Sequence, residues 1–440
     1  MIIKKFGGTS VGSVERIQKL VPLIHDGQRK LVVLSAMSGT TNALVEISSA
    51  FYALQDEKAK QLILNLENKY KQVIKDLYKQ ETYAAKATKV IDEWFGYLKS
   101  LAGNVFSNLQ ERAVLAIGEI LSTHLAHFYC LEIGVENVLL DALSFMKLNL
   151  QGEPDMDFIS KELTQQIAQY PDNQLFITQG YICRNALGET ANLQRGGSDY
   201  TASLVGAAIN ADEVQIWTDI DGMHNNDPRF VDKTYPIHEL SFDEAAELAY
   251  FGAKILHPST ILPAKLKNIP VRILNTMAPD QKGTMITAKP TQDNQGVKAV
   301  AAKDGITAIR IKSSRMLLAY GFLRKVFEVF EKYKTPIDLI TTSEVAISLT
   351  IDNPHALDNI VNELKDFCSV EVEHFQTIVC VVGNFALDKS GVARNVLNAL
   401  EHIPIRMISY GGSENNISLL IESSQKIEVL KALNKGIFGL

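Results

Sequence analysis

Short apolar runs alternate with amphipathic stretches through the first two-thirds of this 440-residue chain, and that alternation constrains the fold more than any other feature. Ile2 and Ile3 lead into a glycine turn, residues 14–24 carry apolar side chains at helical spacing, and residues 31–35 form a compact apolar run of strand length. One long helical region is expected over about residues 43–134, where Lys and Glu faces continue with few breakers. Further strands are expected at 175–178, 214–218 and 271–273, with helices at 199–211 and 242–251. Alternation of this kind implies an α/β domain whose sheet is largely parallel.

Past this region Pro279, Gly283, Pro290 and Gly296 sit among polar residues and mark a soft boundary. The chain then repeats itself: residues 326–351 (VFEVFEKYKTPIDLITTSEVAISLTI) and 396–421 (VLNALEHIPIRMISYGGSENNISLLI) share one pattern. In both copies an amphipathic helix ends near a proline (Pro336, Pro404), then come an apolar strand, a Ser-Glu turn and a second strand. Two copies are too few for a solenoid and fit a pair of small α+β modules. The expected domains are 1–290, 299–375 and 376–440, with 299–313 available to pair with the last module. A chain this long exceeds one hydrophobic core, which agrees with that division.

A formal net charge of -6 and the lack of any Lys/Arg block argue against a nucleic-acid partner, so an anionic ligand must be held by a few placed cations. Cys130, Cys183, Cys368 and Cys380 are far apart with no C-x-x-C pair, and read as thiols of a cytosolic protein. Lys4 and Lys5 interrupt the N-terminus before a signal-peptide core forms, and no run approaches the roughly 18 uninterrupted apolar residues of a membrane helix. A cytoplasmic protein without a membrane partner is expected.

Lys5-Phe6-Gly7-Gly8-Thr9-Ser10 follows a strand and precedes a helix. Missing Cβ atoms at Gly7 and Gly8 let backbone N–H groups approach an anion, and the helix points its positive end at the same place. Ser10 and Ser13 are the candidate helix caps. The spacing fits neither the P-loop nor the dinucleotide fingerprint. A tight turn with a solvated lysine accounts for the loop equally well when it is taken alone.

Seven segments in order then define a resemblance: 5–11 (KFGGTSV), 31–42 (LVVLSAMSGTTN), 118–123 (GEILST), 195–202 (RGGSDYTA), 217–229 (WTDIDGMHNNDPR), 242–258 (FDEAAELAYFGAKILHP) and 338–344 (DLITTSE). This ordered set resembles the aspartate kinases, and most of all their monofunctional, lysine-responsive members. The resemblance implies an α/β amino-acid-kinase domain, a parallel-sheet sandwich with helices on both faces, followed by two α+β ACT modules. It implies transfer of a phosphoryl group from ATP, with Mg²⁺, to the side-chain carboxylate of L-aspartate.

By that resemblance Lys5 and Lys254 contact the transferring phosphoryl and Asp199 holds the catalytic lysine. Glu119, Arg195, Thr41 and Ser35 bind the substrate; an Arg fork suits its carboxylate and an acidic group its ammonium. Gly7, Gly8, Thr218, Asp219, His224, Asp227, Arg229, Lys254 and Ile255 fall on nucleotide-binding positions, His224 standing where the family usually carries tyrosine. No dedicated metal motif occurs. Met316, Ala319, Phe322, Leu323, Pro336, Ile337, Asp338, Ser343 and Glu344 match effector positions, with L-lysine the expected effector and Asp338 its acidic partner. Leu318 and Ala319 replace the His and Ser of some lysine-inhibited relatives. A homodimer or homotetramer through the ACT modules is expected.

Two rival readings use the same residues. A kinase for glutamate, N-acetylglutamate or a nucleoside monophosphate leaves tandem ACT modules unexplained, and an acetylated substrate leaves Glu119 without an ammonium. A catalytically dead amino-acid sensor has no need to keep Lys5, Glu119, Arg195, Asp199 and Lys254 together.

Overall fold

The computed structural model describes residues 1–193, 196–252, 256–290, 296–312, 320–385 and 391–440. They group into two compact units, the first made of Met1–Met223, His238–Phe242 and Leu256–Pro290, the second of the described parts of His224–Ile237, Asp243–Ile255 and Thr291–Leu440. The expected kinase region 1–290 thus lends two of its own stretches to the second unit.

The first unit begins with β1 (Ile2–Phe6), α1 (Val14–Ile24) and β2 (Lys30–Leu34). Ser13 caps α1 and accepts from Arg16 N, while Ile17, Leu20, Val21 and Ile24 form its buried stripe at helical spacing. Four helices follow: α2 (Thr40–Tyr52), α3 (Asp56–Leu77), α4 (Glu81–Ser100) and α5 (Asn108–Glu132). They replace the single helical region expected over 43–134. Leu54 breaks the first join with φ 55°, and Gly103 takes φ 78° before α5. Ser107 and Gln110 then form a capping box at the start of α5.

The chain continues through β3 (Val138–Leu140), α6 (Ala142–Phe145), α7 (Met156–Ala168), β4 (Leu175–Gln179), β5 (Ile182–Arg184), β6 (Thr190–Asn192), α8 (Gly197–Ala208) and β7 (Glu213–Thr218). After β8 (Glu239–Ser241) comes α9 (Phe242–Phe251), of which only Phe242 belongs to the first unit. The unit closes with α10 (Pro258–Leu266), β9 (Val271–Asn275) and β10 (Thr284–Thr287).

Eight of these strands form one sheet in the order β3-β4-β2-β1-β7-β9-β10-β8. All neighbours are parallel except β9 and β10. Leu31, Val32, Val33 and Leu34 are all fully buried although successive side chains point to opposite faces, so both faces are covered. α5 packs on β2, β3 and β4, and α8 on β1, β2 and β7. By length and composition α5 could cross a membrane, but 67% of its apolar window is buried here, as befits a core helix.

In the second unit β11 (Gly296–Lys312), α11 (Phe322–Lys332), β12 (Leu339–Thr342), β13 (Ala346–Ile351), α12 (Leu357–Lys365), β14 (Ser369–Asn384), α13 (Val392–Ala399), β15 (Met407–Tyr410), β16 (Asn416–Glu422) and α14 (Lys426–Phe438) follow in order. Their six strands make one antiparallel sheet, β12-β13-β11-β14-β16-β15. β11 and β14 are long because each serves both repeats. Thr307–Lys312 of β11 pairs with β13, while its earlier half pairs with the later half of β14, which in turn pairs with β16. Two separate cores result. One joins Ile309, Val326, Ile347 and Leu349; the other joins Val300, Val379, Val396, Leu419 and Leu430.

Tyr70 of α3 is fully buried, and its hydroxyl bonds Thr40 at the start of α2 (3.0 Å). Tyr70→Phe leaves the buried Thr40 hydroxyl without that partner and should cost about 1–3 kcal/mol. Urea unfolding monitored by circular dichroism measures the loss.

Candidate active site

The sheet's parallel strands deliver two loops to one place. Lys5 leaves the carboxyl end of β1, and its ammonium lies 2.6 Å from Asp199 Oδ1 in the first turn of α8. Gly196 caps that helix with φ 77°, a left-handed conformation that suits glycine. Both charged side chains are largely buried, which is tolerable because each is the other's partner. The neighbouring Lys4 faces away and meets Asp26 (2.8 Å) and Leu23 O (2.7 Å).

The glycine loop folds tightly beside Lys5. Gly7 N donates to Trp217 O (3.4 Å) and Ser10 N donates to Gly7 O (2.9 Å). A Cβ on Gly8 would stand 2.9 Å from Ala36 O, so glycine is needed for the close approach of this loop to the one after β2. Of the two candidate caps only Ser13 serves α1; Ser10 Oγ instead bonds Thr276 Oγ1 (2.7 Å).

Glu119 projects from the middle of α5 and is 4% exposed. Its Oε1 accepts from Ala36 N (3.2 Å), while Oε2 is buried with no hydrogen-bond partner among the described residues. Burial pushes its pKa up to about 8, a rise that the Ala36 N–H and the Lys5 charge only partly offset. Ser35 follows β2, with its N–H on Phe6 O (3.2 Å), and Thr41 stands exposed in the first turn of α2.

Lys5, Gly8, Ser35, Thr41, Glu119 and Asp199 line one cleft of about 670 Å³. Gly7 sits at its edge, its Cβ position 3.4 Å from the Lys5 ammonium nitrogen. Ser38, Asn42, Tyr181, Leu193 and Ser198 also line the cleft and were not singled out in the sequence. Tyr181 has φ 68°, rare for an aromatic residue, and donates its N–H to Thr201 Oγ1 (2.9 Å). The signal for it was the Gly180-Tyr181 pair directly after an apolar strand. Arg195, Lys254 and Ile255 lie outside the described residues.

Thr218 ends β7, beside β1, and Asp219 follows it, with Thr218 Oγ1 donating to Asp219 Oδ1 (3.2 Å). In the second unit His224 Nδ1 contacts Thr234 Oγ1 (2.9 Å). Asp227 and Arg229 there bind each other, Arg229 Nε reaching Asp227 Oδ1 at 2.9 Å and Nη2 reaching Oδ2 at 2.6 Å. Burial would raise the Asp227 pKa, but the Arg229 hydrogen bonds outweigh it and hold the carboxyl below its usual range. Among the described residues no group of three His, Cys, Asp or Glu side chains is placed to hold a metal ion.

Of the expected effector positions, Phe322 begins α11 inside the core against Phe367, and Leu323 is half-exposed beside it. Pro336, Ile337 and Asp338 lead into β12, and Ser343 and Glu344 form the exposed turn before β13, Ser343 N donating to Ala346 O (2.8 Å). Met316 and Ala319, like Leu318, lie outside the described residues.

The fold and this cleft define an amino-acid kinase: the Amino acid kinase family model matches residues 1–275, and an ACT domain model matches 379–436. The lysine-sensitive aspartokinase 3 of Escherichia coli K12 is 32% identical over 450 residues, covering 100% of this chain and 99% of the relative. Chloroplastic aspartokinase 3 of Arabidopsis thaliana is 34% identical over 468 residues, with 99% and 81% covered. The crystal structure of E. coli aspartokinase III in complex with aspartate and ADP matches with a TM-score of 0.85 at 32% identity over 100% of both chains. The chain belongs to the aspartokinase family.

Gly8→Ala tests the close approach of the two loops. Its Cβ would press on a backbone oxygen at 2.9 Å, and overpacking of this kind costs about 1–3 kcal/mol. A lowered urea midpoint with unchanged far-ultraviolet circular dichroism is the expected result.

Proposed function

We propose that the protein is an aspartate kinase that converts ATP and L-aspartate to ADP and 4-phospho-L-aspartate. The observation that carries this reading is the buried, unpartnered Glu119 Oε2 in the same cleft as the Lys5–Asp199 pair. One end of the cleft then takes an ammonium and the other a phosphoryl group. Arg195 takes the α-carboxylate, with Thr41 and Ser35 fixing the substrate's orientation.

The substrate's β-carboxylate needs no general base, since an aspartate side chain loses its proton at about pH 3.9 and is already ionised at neutral pH. One of its oxygens forms a bond to Pγ while the bond from Pγ to the β–γ bridging oxygen breaks, and ADP leaves with that electron pair. The barrier is repulsion between anions, so positioning and charge neutralisation do the catalytic work. Lys5, oriented by Asp199, neutralises the transferring group, and Lys254 joins it there. Gly7 and Gly8 present backbone N–H groups to the phosphates. Thr218, Asp219, His224, Asp227, Arg229 and Ile255 are assigned to the rest of the nucleotide. Mg²⁺ would be held chiefly by ATP phosphates and would supply further charge neutralisation.

The regulatory part of the reading is that L-lysine binds the ACT region through Asp338 and its neighbours and lowers activity. Assembly as a homodimer or homotetramer through those modules, in a cytoplasm that holds ATP and free aspartate, completes it. A hydroxamate assay with ATP, Mg²⁺ and either aspartate or glutamate should trap product with aspartate alone; a preference for glutamate would sink the substrate assignment.

Lys5→Ala should lower kcat at least about 100-fold, by analogy with the loss of one oxyanion donor. A variant with near-normal turnover would remove Lys5 from the mechanism. Glu119 gives a pH test. With its pKa near 8 it is mostly protonated in the free enzyme at pH 7, and an ammonium beside it favours the ionised form. Aspartate binding at pH 7 therefore releases close to one proton, and affinity rises up to about tenfold per pH unit below 8 before levelling off. Calorimetry in buffers of different ionisation enthalpy reads the proton directly, and Glu119→Gln should abolish its release.

A further inference from the structure

Around Asp338 the second unit gathers two carboxylates, one ammonium and one phenol. Lys303 Nζ lies 3.1 Å from Asp338 Oδ1 and 2.8 Å from Asp352 Oδ2. Tyr250 of α9 donates its hydroxyl to the same Asp338 Oδ1 at 2.5 Å, and the Lys303 ammonium stands 4.2 Å from the centroid of its ring. Asp338 is 0% exposed in its side chain, and its other oxygen, Oδ2, has no hydrogen-bond partner among the described residues. Nothing in the expected effector motif points to Lys303, Asp352 or Tyr250.

The charges do not balance. Among the described residues two carboxylates face one ammonium, and the tyrosine, whose acidity burial and Asp338 suppress, adds no positive charge. Burial raises the pKa of Asp338, the charge of Asp352 adds to the rise, and Tyr250 and Lys303 oppose it. A buried carboxylate oxygen left without a donor is costly, so such a group either holds a proton or awaits a cation.

We propose that Asp338, Asp352 and Lys303 form a charge set one cation short, which the ammonium of an amino-acid effector completes by taking the free Oδ2 of Asp338. This rests on the effector reading above and names what sets its strength. Asp352 promotes binding, because it draws Lys303 away and keeps Asp338 only half neutralised. Lys303 opposes binding, because it is an internal ammonium competing for the same carboxylate. Tyr250 anchors Oδ1, so that Oδ2 is the oxygen on offer. The ligand class is a primary ammonium; a neutral or anionic effector has nothing to gain here.

Calorimetric titration of the full-length enzyme with L-lysine and with L-threonine tests this. Asp352→Asn should weaken the binding of whichever amino acid the wild type takes by about tenfold or more, and Lys303→Met should tighten it by a similar factor, since each removes one charge a few ångströms away. Asp338→Asn should abolish binding. Asp352 is 38% exposed, so its amide variant is the less demanding of folding; if Lys303→Met does not fold, Asp352→Asn decides alone. Loss of binding in Asp338→Asn together with wild-type affinity in Asp352→Asn would keep the effector reading and overturn the charge set. No binding of either amino acid to the wild type would overturn both.

Discussion

An ammonium at the end of a buried parallel strand needs a carboxylate, and the 2.6 Å pair of Lys5 with Asp199 is the contact on which the rest of the catalytic unit turns. Lys5 comes from a strand with the polypeptide on both sides: β2 pairs along one edge of β1 and β7 along the other. Asp199 comes from α8, which packs on those same three strands. The ion pair therefore ties the central strand to the helix lying over it, and fixes where the cleft carries its positive charge.

Close packing around that pair fixes the other end of the cleft. The loop after β1 and the loop after β2 approach until a Cβ on Gly8 would meet Ala36 O, and Ala36 in turn donates its N–H to Glu119. One backbone segment thus meets both the glycine loop and the buried Glu119 carboxylate. Gly197 makes a similar approach on the far side, where a Cβ would stand 2.5 Å from the Tyr181 ring, and Tyr181 keeps φ 68°. A positive φ and missing side chains thus collect around this one cleft.

Much of this was legible in the sequence, for identifiable reasons. Fully apolar runs such as 31–34 announced strands covered on both faces, and the repeat at 326–351 and 396–421 announced two like modules. Motif order brought Lys5, Glu119 and Asp199 to notice although more than 190 positions separate the first from the last. The breaks within 43–134 escaped because they lack proline; Gly103-Asn104 and the Ser107–Gln110 capping pair did carry a signal for the last of them, but the long Lys/Glu faces before it read as one continuous helix. Tyr181 escaped because the Gly180-Tyr181 pair after β4 marks a turn without showing that the tyrosine itself takes the positive φ, and the sharing of β11 and β14 by both modules depends on pairing between residues some 70 positions apart, to which periodicity is blind.

The two modules also show how one repeat can hold two chemistries. Asp338 N donates to Thr350 O (2.9 Å) immediately before β12, and Arg406 N donates to Leu420 O (2.8 Å) immediately before β15. The two residues occupy the same place in their modules, after Pro336-Ile337 and Pro404-Ile405, with opposite charge. Arg406 finds its partner in Glu422 of its own module (2.7 Å), whereas Asp338 shares a lysine with a second acid and keeps one oxygen without a donor among the described residues. Backbone symmetry between the repeats therefore does not make two equivalent positions: the same place carries a carboxylate in one module and a guanidinium in the other, and the paired long strands join the two.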